Sequence, residues 1–158
     1  MVDLYYTFFY PHLLYGLEFW GHASSTELDR ILVLQKKALR IILKLQPNAT
    51  VVSNFATLKI MPIRMLFKYR FLLHFINNYP SDTIKDLVIH HHHETRLKAS
   101  NAITTAKFKT NKGQRSMLFS TAKLFNTYLH DYGSMGSESL KLRLAERLWE
   151  EHGGDVGV

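Results

Sequence analysis

The chain contains no cysteine. A disulfide framework, a zinc knuckle built from this chain and a thiol nucleophile are therefore excluded, and the absence fits an intracellular protein, nuclear or cytoplasmic. Other chemistries are missing as well. There is no Gly-x-Ser-x-Gly nucleophile elbow, and Gly113 and the late glycines have no phosphate-cradling loop around them. No Asp-Asp pair or strand-like cluster of acids occurs, so the carboxylates that hold two metal ions for phosphoryl transfer are lacking. The chain as it stands is expected not to be an enzyme and to carry no cofactor or metal. A secretory leader is not expected either: Met1-Val2-Asp3 is no basic n-region, and no small-residue cleavage site follows the first apolar run. That run, Leu4 to Trp20, is 17 residues long and is interrupted by Pro11, His12 and Glu18. A spanning helix needs about 20 apolar residues with few charges. The run reads as a buried helix, and no membrane partner is expected.

What is present is positive charge and apolar mass. Lys and Arg number 20 against 13 acids, a net charge of +7, and 46% of the 158 residues are hydrophobic. The apolar share supports a core for one domain, or one domain with a tail. The charge favours polyanionic partners, nucleic acid ahead of anionic membrane. The clearest amphipathic helix is Ser24 to Leu45. Ser24 and Glu27 have the spacing of a capping box, and Asp29 adds an acid to the first turn. Leu28, Ile31, Leu32, Ala38, Leu39, Ile42 and Leu45 line one side. Arg30, Lys36, Lys37, Arg40 and Lys44 gather on an arc of about 120° on the other. Two readings of that arc stand side by side: the solvated face of a core helix, or a face that contacts phosphates.

Around this helix the chain predicts a mainly α fold: a helical bundle, then a loop-rich segment with a candidate short β-hairpin, then a C-terminal helix. Leu4 to Trp20 forms the first helix, with Asp3 as its N-cap and a kink at Pro11, near Tyr10. Gly21 ends it, and Pro47-Asn48 stops the second. A short helical turn covers Ser53 to Leu58, and Pro62 opens a helix to Asn77. Ser81 to Lys112 reads as extended, with one strand at Ile103 to Lys109 and a second at Ser116 to Phe119. Ser120 to His130 is a short helix, Gly133 to Gly136 a break, and Ser137 to Glu151 the last helix, closed by Gly153-Gly154. The organisation is residues 1–79 as the bundle, 80–132 as the loop-rich segment, and 133–158 as the C-terminal helix and tail.

His90 to His93 invite a metal, but adjacent residues cannot all face one ion and no second cluster completes a site. The run reads as a polar loop. His12 and His74 lie in apolar stretches and read as core or groove residues; His130 and His152 sit near helix ends, where a cation favours the dipole. Cations also stand beside rings. Lys68-Tyr69-Arg70-Phe71, Lys107-Phe108-Lys109 and then Lys112, Arg115 and Phe119 combine charge for backbones with surfaces that could stack bases. Aromatics at helical spacing are also what a core requires.

Seven stretches in order resemble one family. Leu4-Tyr5-Tyr6 and Tyr10-Pro11-His12-Leu13-Leu14-Tyr15-Gly16 through Trp20-Gly21 are followed by Leu34-Gln35-Lys36-Lys37-Ala38-Leu39-Arg40-Ile41-Ile42. The tandem is similar to the region just after the palm in reverse transcriptases of non-LTR (LINE-type) retrotransposons. Leu58-Lys59-Ile60-Met61-Pro62 resembles that family's L-x-I-L-P link, and His93-Glu94-Thr95-Arg96 its H-N-T-R. Lys109-Thr110-Asn111-Lys112-Gly113-Gln114-Arg115-Ser116 is similar to R-T-N-x-G-x-x-S. Lys123-Leu124-Phe125-Asn126-Thr127-Tyr128-Leu129 is similar to K-L-W-N-x-L-P. The resemblance runs from Leu4 to Leu129. Phe125 replaces the usual Trp, His130 the expected Pro, and the tail after Tyr132 matches nothing in the pattern.

The resemblance implies a thumb and post-palm region, whose helices grip template–primer behind an active site through backbone and shape. It implies that fingers, palm, catalytic Asp pair and endonuclease lie outside this chain, with any divalent metal bound there, and that the chain is a truncated copy or a gene-model fragment beginning at an internal methionine. The implied partners are RNA/DNA hybrid or single-stranded nucleic acid, and the missing palm and fingers. Arg30, Lys37, Arg40 and Lys44 are the first candidates for phosphate contacts, Arg96, Lys109 and Arg115 the second; Lys36, Lys68, Arg70 and Lys112 complete the set. The alternative expectation is a helical protein-interaction module that docks its aromatic first helix onto a palm or another protein, or a relic without activity of its own.

Overall fold

The computed structural model describes residues 2–78, 108–110, 113, 116–128 and 137–154. The chain is mainly helical, and no strand occurs among the described residues. Nor, among them, is any helix long and apolar enough to cross a membrane.

The first apolar run is broken twice. Helix α1 (Val2–Leu4) passes into a π-helical segment (Tyr5–Phe9), then α2 (Tyr10–Leu14), and α3 (Leu17–Trp20) follows a turn. Pro11 has no N–H to donate to the preceding turn, and the chain widens just before it, with the Tyr10 N–H donating to Tyr5 O. The kink or split expected near Tyr10 is thus a change from π-helical to α-helical winding. The second break is not foreshadowed by a proline. Gly16 adopts φ 61°, a left-handed conformation that costs glycine little. The Trp20 indole N–H spans the break and donates to Tyr15 O at 2.7 Å.

Helix α4 (Ser25–Ile42) begins as its sequence requires. The Ser24 side chain accepts from the Glu27 N–H at 3.3 Å, one half of a capping box, while the Glu27 carboxylate accepts from Arg30. It ends earlier than Pro47. The Leu45 N–H donates to Arg40 O at 2.9 Å and the Lys44 N–H to Ile41 O at 3.2 Å, the paired bonds of a Schellman motif. Lys44 takes the left-handed position of that motif, at φ 54°. Helix α5 (Val52–Thr57) repeats the device: Ile60 N–H to Phe55 O at 2.9 Å, Lys59 N–H to Ala56 O at 3.0 Å, Lys59 at φ 55°. Helix α6 (Ile63–Asn78) follows Pro62, whose carbonyl accepts from the Leu66 N–H. Helices α7 (Met117–Tyr128) and α8 (Ser137–Gly154) complete the described elements.

The chain divides into two compact units, Met1–Lys68 with Leu148–Val158, and Tyr69–Arg147. In the first, Tyr5, Leu13, Leu17, Leu28, Leu39, Val51, Phe55, Ile60, Ile63 and Leu66 form the core, with Phe67 and Trp149 packed against it. Gly21 belongs to this packing: a Cβ there would run into the Phe67 ring and stand 2.6 Å from Leu17 O. At the core's centre lies a polar side chain, Gln35, fully buried. Its Nε2 donates to Tyr5 Oη at 2.9 Å and to Met61 O at 3.2 Å, and its Oε1 accepts from the Ile63 N–H at 2.7 Å. One amide thus joins the first helical segment, α4 and the start of α6. In the second unit Phe71, Leu72, Phe75, Ala122, Tyr128, Leu140 and Leu144 are buried. Phe75 meets Phe125 edge-on at 6.1 Å, and the Arg147 guanidinium lies 5.8 Å from the Tyr128 ring centroid.

One expected strand is a helix. Ser116 to Phe119 does not pair as a β-arm, because Ser116 caps α7: its carbonyl accepts from the Ser120 N–H at 3.0 Å and its Oγ from the Phe119 N–H at 3.4 Å. The other expected strand, from Ile103 to Lys109, lies outside the described residues except at Phe108 and Lys109, which form no strand. His12 and His74 are exposed and not core residues. His152 stands in the last turn of α8, as expected. The His90 to His93 run and His130 lie outside the described residues.

Candidate nucleic-acid interface

The basic arc begins with how α4 is mounted. Leu28, Gln35 and Leu39 are its buried residues, and they set which side of the helix faces inward. Asp29 Oδ1 accepts from Arg64 Nη2 at 2.7 Å, tying the N-terminal half of α4 to the start of α6. Both groups are about half exposed, so this pair contributes little stability in water.

The arc's cations differ in what they are free to do. Lys37 is exposed and Lys36 half-buried on the helix proper. Arg30 is exposed, but its Nη1 donates to both Glu27 carboxylate oxygens, at 3.1 and 3.2 Å. Arg40 donates from Nε to Ala49 O at 2.9 Å, holding the segment that follows the helix. Lys44 lies beyond the last helical residue, so its direction is set by the left-handed turn and not by helical spacing. Two of five expected phosphate ligands are therefore already engaged within the chain.

The second set is dispersed. Lys68 donates from Nζ to both carboxylate oxygens of Glu151, at 2.9 and 3.0 Å. Arg70 is half-buried and belongs to the second unit. Lys109 is exposed, and Arg96, Lys112 and Arg115 lie outside the described residues. The expected base-stacking rings are mostly structural: Phe71 is a core residue, and Phe108 meets Phe119 edge-on at 5.9 Å.

What the helical arithmetic overlooked is apolar. Val33, Leu34 and Ile41 are exposed, and at about 100° per residue they interleave with Lys37 on the outward side. The signal was in the sequence, since these three fall outside the inward apolar arc. Gln35, in contrast, falls in the middle of that arc, and its type gave the hint that a buried polar partner must exist.

Titration adds no catalytic group. Burial pushes the Tyr5 hydroxyl up to about 12 despite the Gln35 hydrogen bond, and raises Tyr6 as well. Burial lowers the His22 imidazole, whose ring meets Phe67 edge-on at 4.9 Å. Among the described residues no group of three His, Asp or Glu side chains is placed to hold a metal. The exposed cations of this arrangement can attract a polyanion. Comparison of the chain with protein-family models, with curated proteins and with solved structures gives no match.

Proposed function

We propose that the chain is a non-catalytic helical module that grips nucleic acid through backbone phosphates, as the thumb region of a non-LTR retrotransposon reverse transcriptase would. The reading is supported by the seven stretches that resemble that family and by the net charge of +7. The observation that carries it is the mounting of α4. Its inner face is locked by Gln35, Leu28 and Leu39, and its outer face presents Lys36 and Lys37, with Lys44 just past its end. With Phe71 in the core and Phe108 against Phe119, base stacking on these rings is a minor part of the reading. A duplex or hybrid backbone is the expected ligand ahead of a stacked single strand. Any polymerase activity, its palm and its divalent metal belong to a parent protein.

The test is the salt dependence of hybrid binding. The triple variant Lys36→Glu, Lys37→Glu, Lys44→Glu avoids Arg40, which holds Ala49 O. Each lost phosphate contact should lower the slope of log K against log salt by about 0.9, so a fall of roughly two to three units is expected. An unchanged slope removes this face from nucleic acid.

A second reading, a protein-interaction module, is favoured by the first helical run. Leu4, Phe8, Tyr15 and Phe19 are exposed there, Tyr15 at 86% and Phe19 at 77%. A cluster of large exposed rings is a feature of contact surfaces. Salt-insensitive or undetectable hybrid binding, together with hydrophobic-dye binding abolished by Phe8→Ser and Phe19→Ser, is the outcome that supports it.

A further inference from the structure

We infer that the outer face of α4 is a docking seam for an acidic amphipathic helix. The inference stands without the nucleic-acid reading and accounts for side chains that reading leaves idle. Ile41 is 75% exposed, Leu34 52% and Val33 48%. Phosphates offer such groups nothing to bury against.

The spacing is that of a helix-pairing seam. Leu34 and Ile41 are seven residues apart, and Lys37 stands between them three residues after Leu34. Arg30 precedes by the same four-residue step that separates Lys37 from Ile41. Leu34 and Ile41 thus occupy one core position of a heptad, and Arg30 and Lys37 the other, with Val33 and Arg40 on a flank. The seam lies away from the buried Leu28, Gln35 and Leu39.

Charge selects the occupant. A second copy of the chain is disfavoured: parallel self-pairing brings Lys37 against Lys37, and antiparallel self-pairing sets Lys37 against Leu34 or Ile41 with no acid to meet it. An anionic lipid surface is disfavoured too, because it takes a broad apolar face, and the broad apolar face of α4 is already in the core. A helix with leucines facing Leu34 and Ile41 and glutamates facing Lys37 satisfies both kinds of group at once, while Arg30 keeps its own partner, Glu27. Such a helix would exclude a polyanion from the same cations.

The experiment uses the full chain and a dye-labelled synthetic helix about three heptads long, with Leu on its seam and Glu at the seam's cationic-facing and flanking positions. Anisotropy should show saturable binding that a scrambled peptide of the same composition fails to reproduce within about tenfold. Leu34→Ser with Ile41→Ser should weaken it by about tenfold or more, as loss of central apolar anchors does. Lys37→Glu should weaken it similarly, and Leu142→Ser, at an exposed leucine on α8, should leave it unchanged. Far-UV circular dichroism of each variant checks that these surface changes leave the helices intact. Equal binding of the scrambled peptide, or indifference to the Leu34/Ile41 change, overturns the inference. It is overturned as well if that change abolishes hybrid binding, or binding to phosphatidylserine vesicles, while the peptide does not bind. Failure of the nucleic-acid reading is seen separately, because the apolar variant keeps every cation.

Discussion

Replacing Gln35 by leucine shortens the side chain by one atom and removes the amide that joins three segments. The buried Ile63 N–H and Tyr5 hydroxyl and the part-buried Met61 carbonyl all lose a partner. Each buried polar group left without a partner costs about 1–3 kcal/mol. Taken together the three should cost about 3–9 kcal/mol, and burying leucine in place of an amide returns about 1–2 kcal/mol. A net loss of about 1–8 kcal/mol is expected, towards the lower end because the Met61 carbonyl is only part-buried, against the 5–15 kcal/mol typical of a domain. Urea unfolding followed by tryptophan fluorescence reports it as a lowered midpoint at constant slope. Tyr5→Phe alone should cost about 1 kcal/mol, since Gln35 keeps Met61 and Ile63. The double variant should then cost less than the sum, because Tyr5 no longer has a hydroxyl to strand. A loss below about 1 kcal/mol for Gln35→Leu, or strict additivity with Tyr5→Phe, would refute the view that this amide is a working junction.

Alkaline pH tests the same junction from the other side. Tyr5 is held at about 12 against an ordinary 10, so above pH 10 the unfolded chain releases a proton that the folded chain keeps. Stability present below pH 10 should therefore fall as pH rises towards 12, with a slope of at most about 1.4 kcal/mol per pH unit from this group; a flat profile across that window in wild type would contradict it. Lys59→Gly relieves a left-handed residue at the end of α5 and should stabilise by about 0.5–1 kcal/mol, read as a raised urea midpoint, whereas an unchanged or lowered midpoint would show that the lysine is unstrained. Gly21→Ala places a methyl group in the Phe67 ring and near Leu17 O and should cost about 2 kcal/mol or more. Phe67→Leu should restore part of that loss, and no rescue would argue that the backbone carbonyl is the limiting contact.

Much of the first unit was legible because its signals are local. Ser24 and the 3.6-residue spacing placed α4, Pro62 placed the start of α6, and Pro11 marked the kink, since each acts within a turn of its own position. The misses are non-local or conformational. A left-handed Lys44 or Lys59 carries no compositional mark, so the helix end was read from Pro47, beyond the true one. Ser116 looked like the start of a strand because its role as a cap depends on the helix that follows it. The arc of five cations came from geometry alone, and geometry cannot say that Arg30 will turn to Glu27, or Arg40 to Ala49 O, or Lys68 to Glu151. Those pairings reduce the set of cations left to meet a partner.

The buried glutamine also explains why the outer face of α4 can be specific at all. Apolar residues occur on both sides of this helix: Leu28 and Leu39 inward, Val33, Leu34 and Ile41 outward. A rotation about the helix axis that buried Leu34 and Ile41 would carry Lys37 inward between them, and an unpaired charge is costly to bury. Gln35 opposes the same rotation from the other side. Only one rotation brings its amide to Tyr5 Oη, Met61 O and the Ile63 N–H, and any other leaves a buried polar group without partners. The same constraint that fixes the core therefore fixes the outward register, placing Lys37 between two exposed aliphatic side chains. An apolar residue at position 35 would strengthen hydrophobic burial and weaken the definition of the surface, which is why a polar group sits at the one place where the helical pattern calls for leucine.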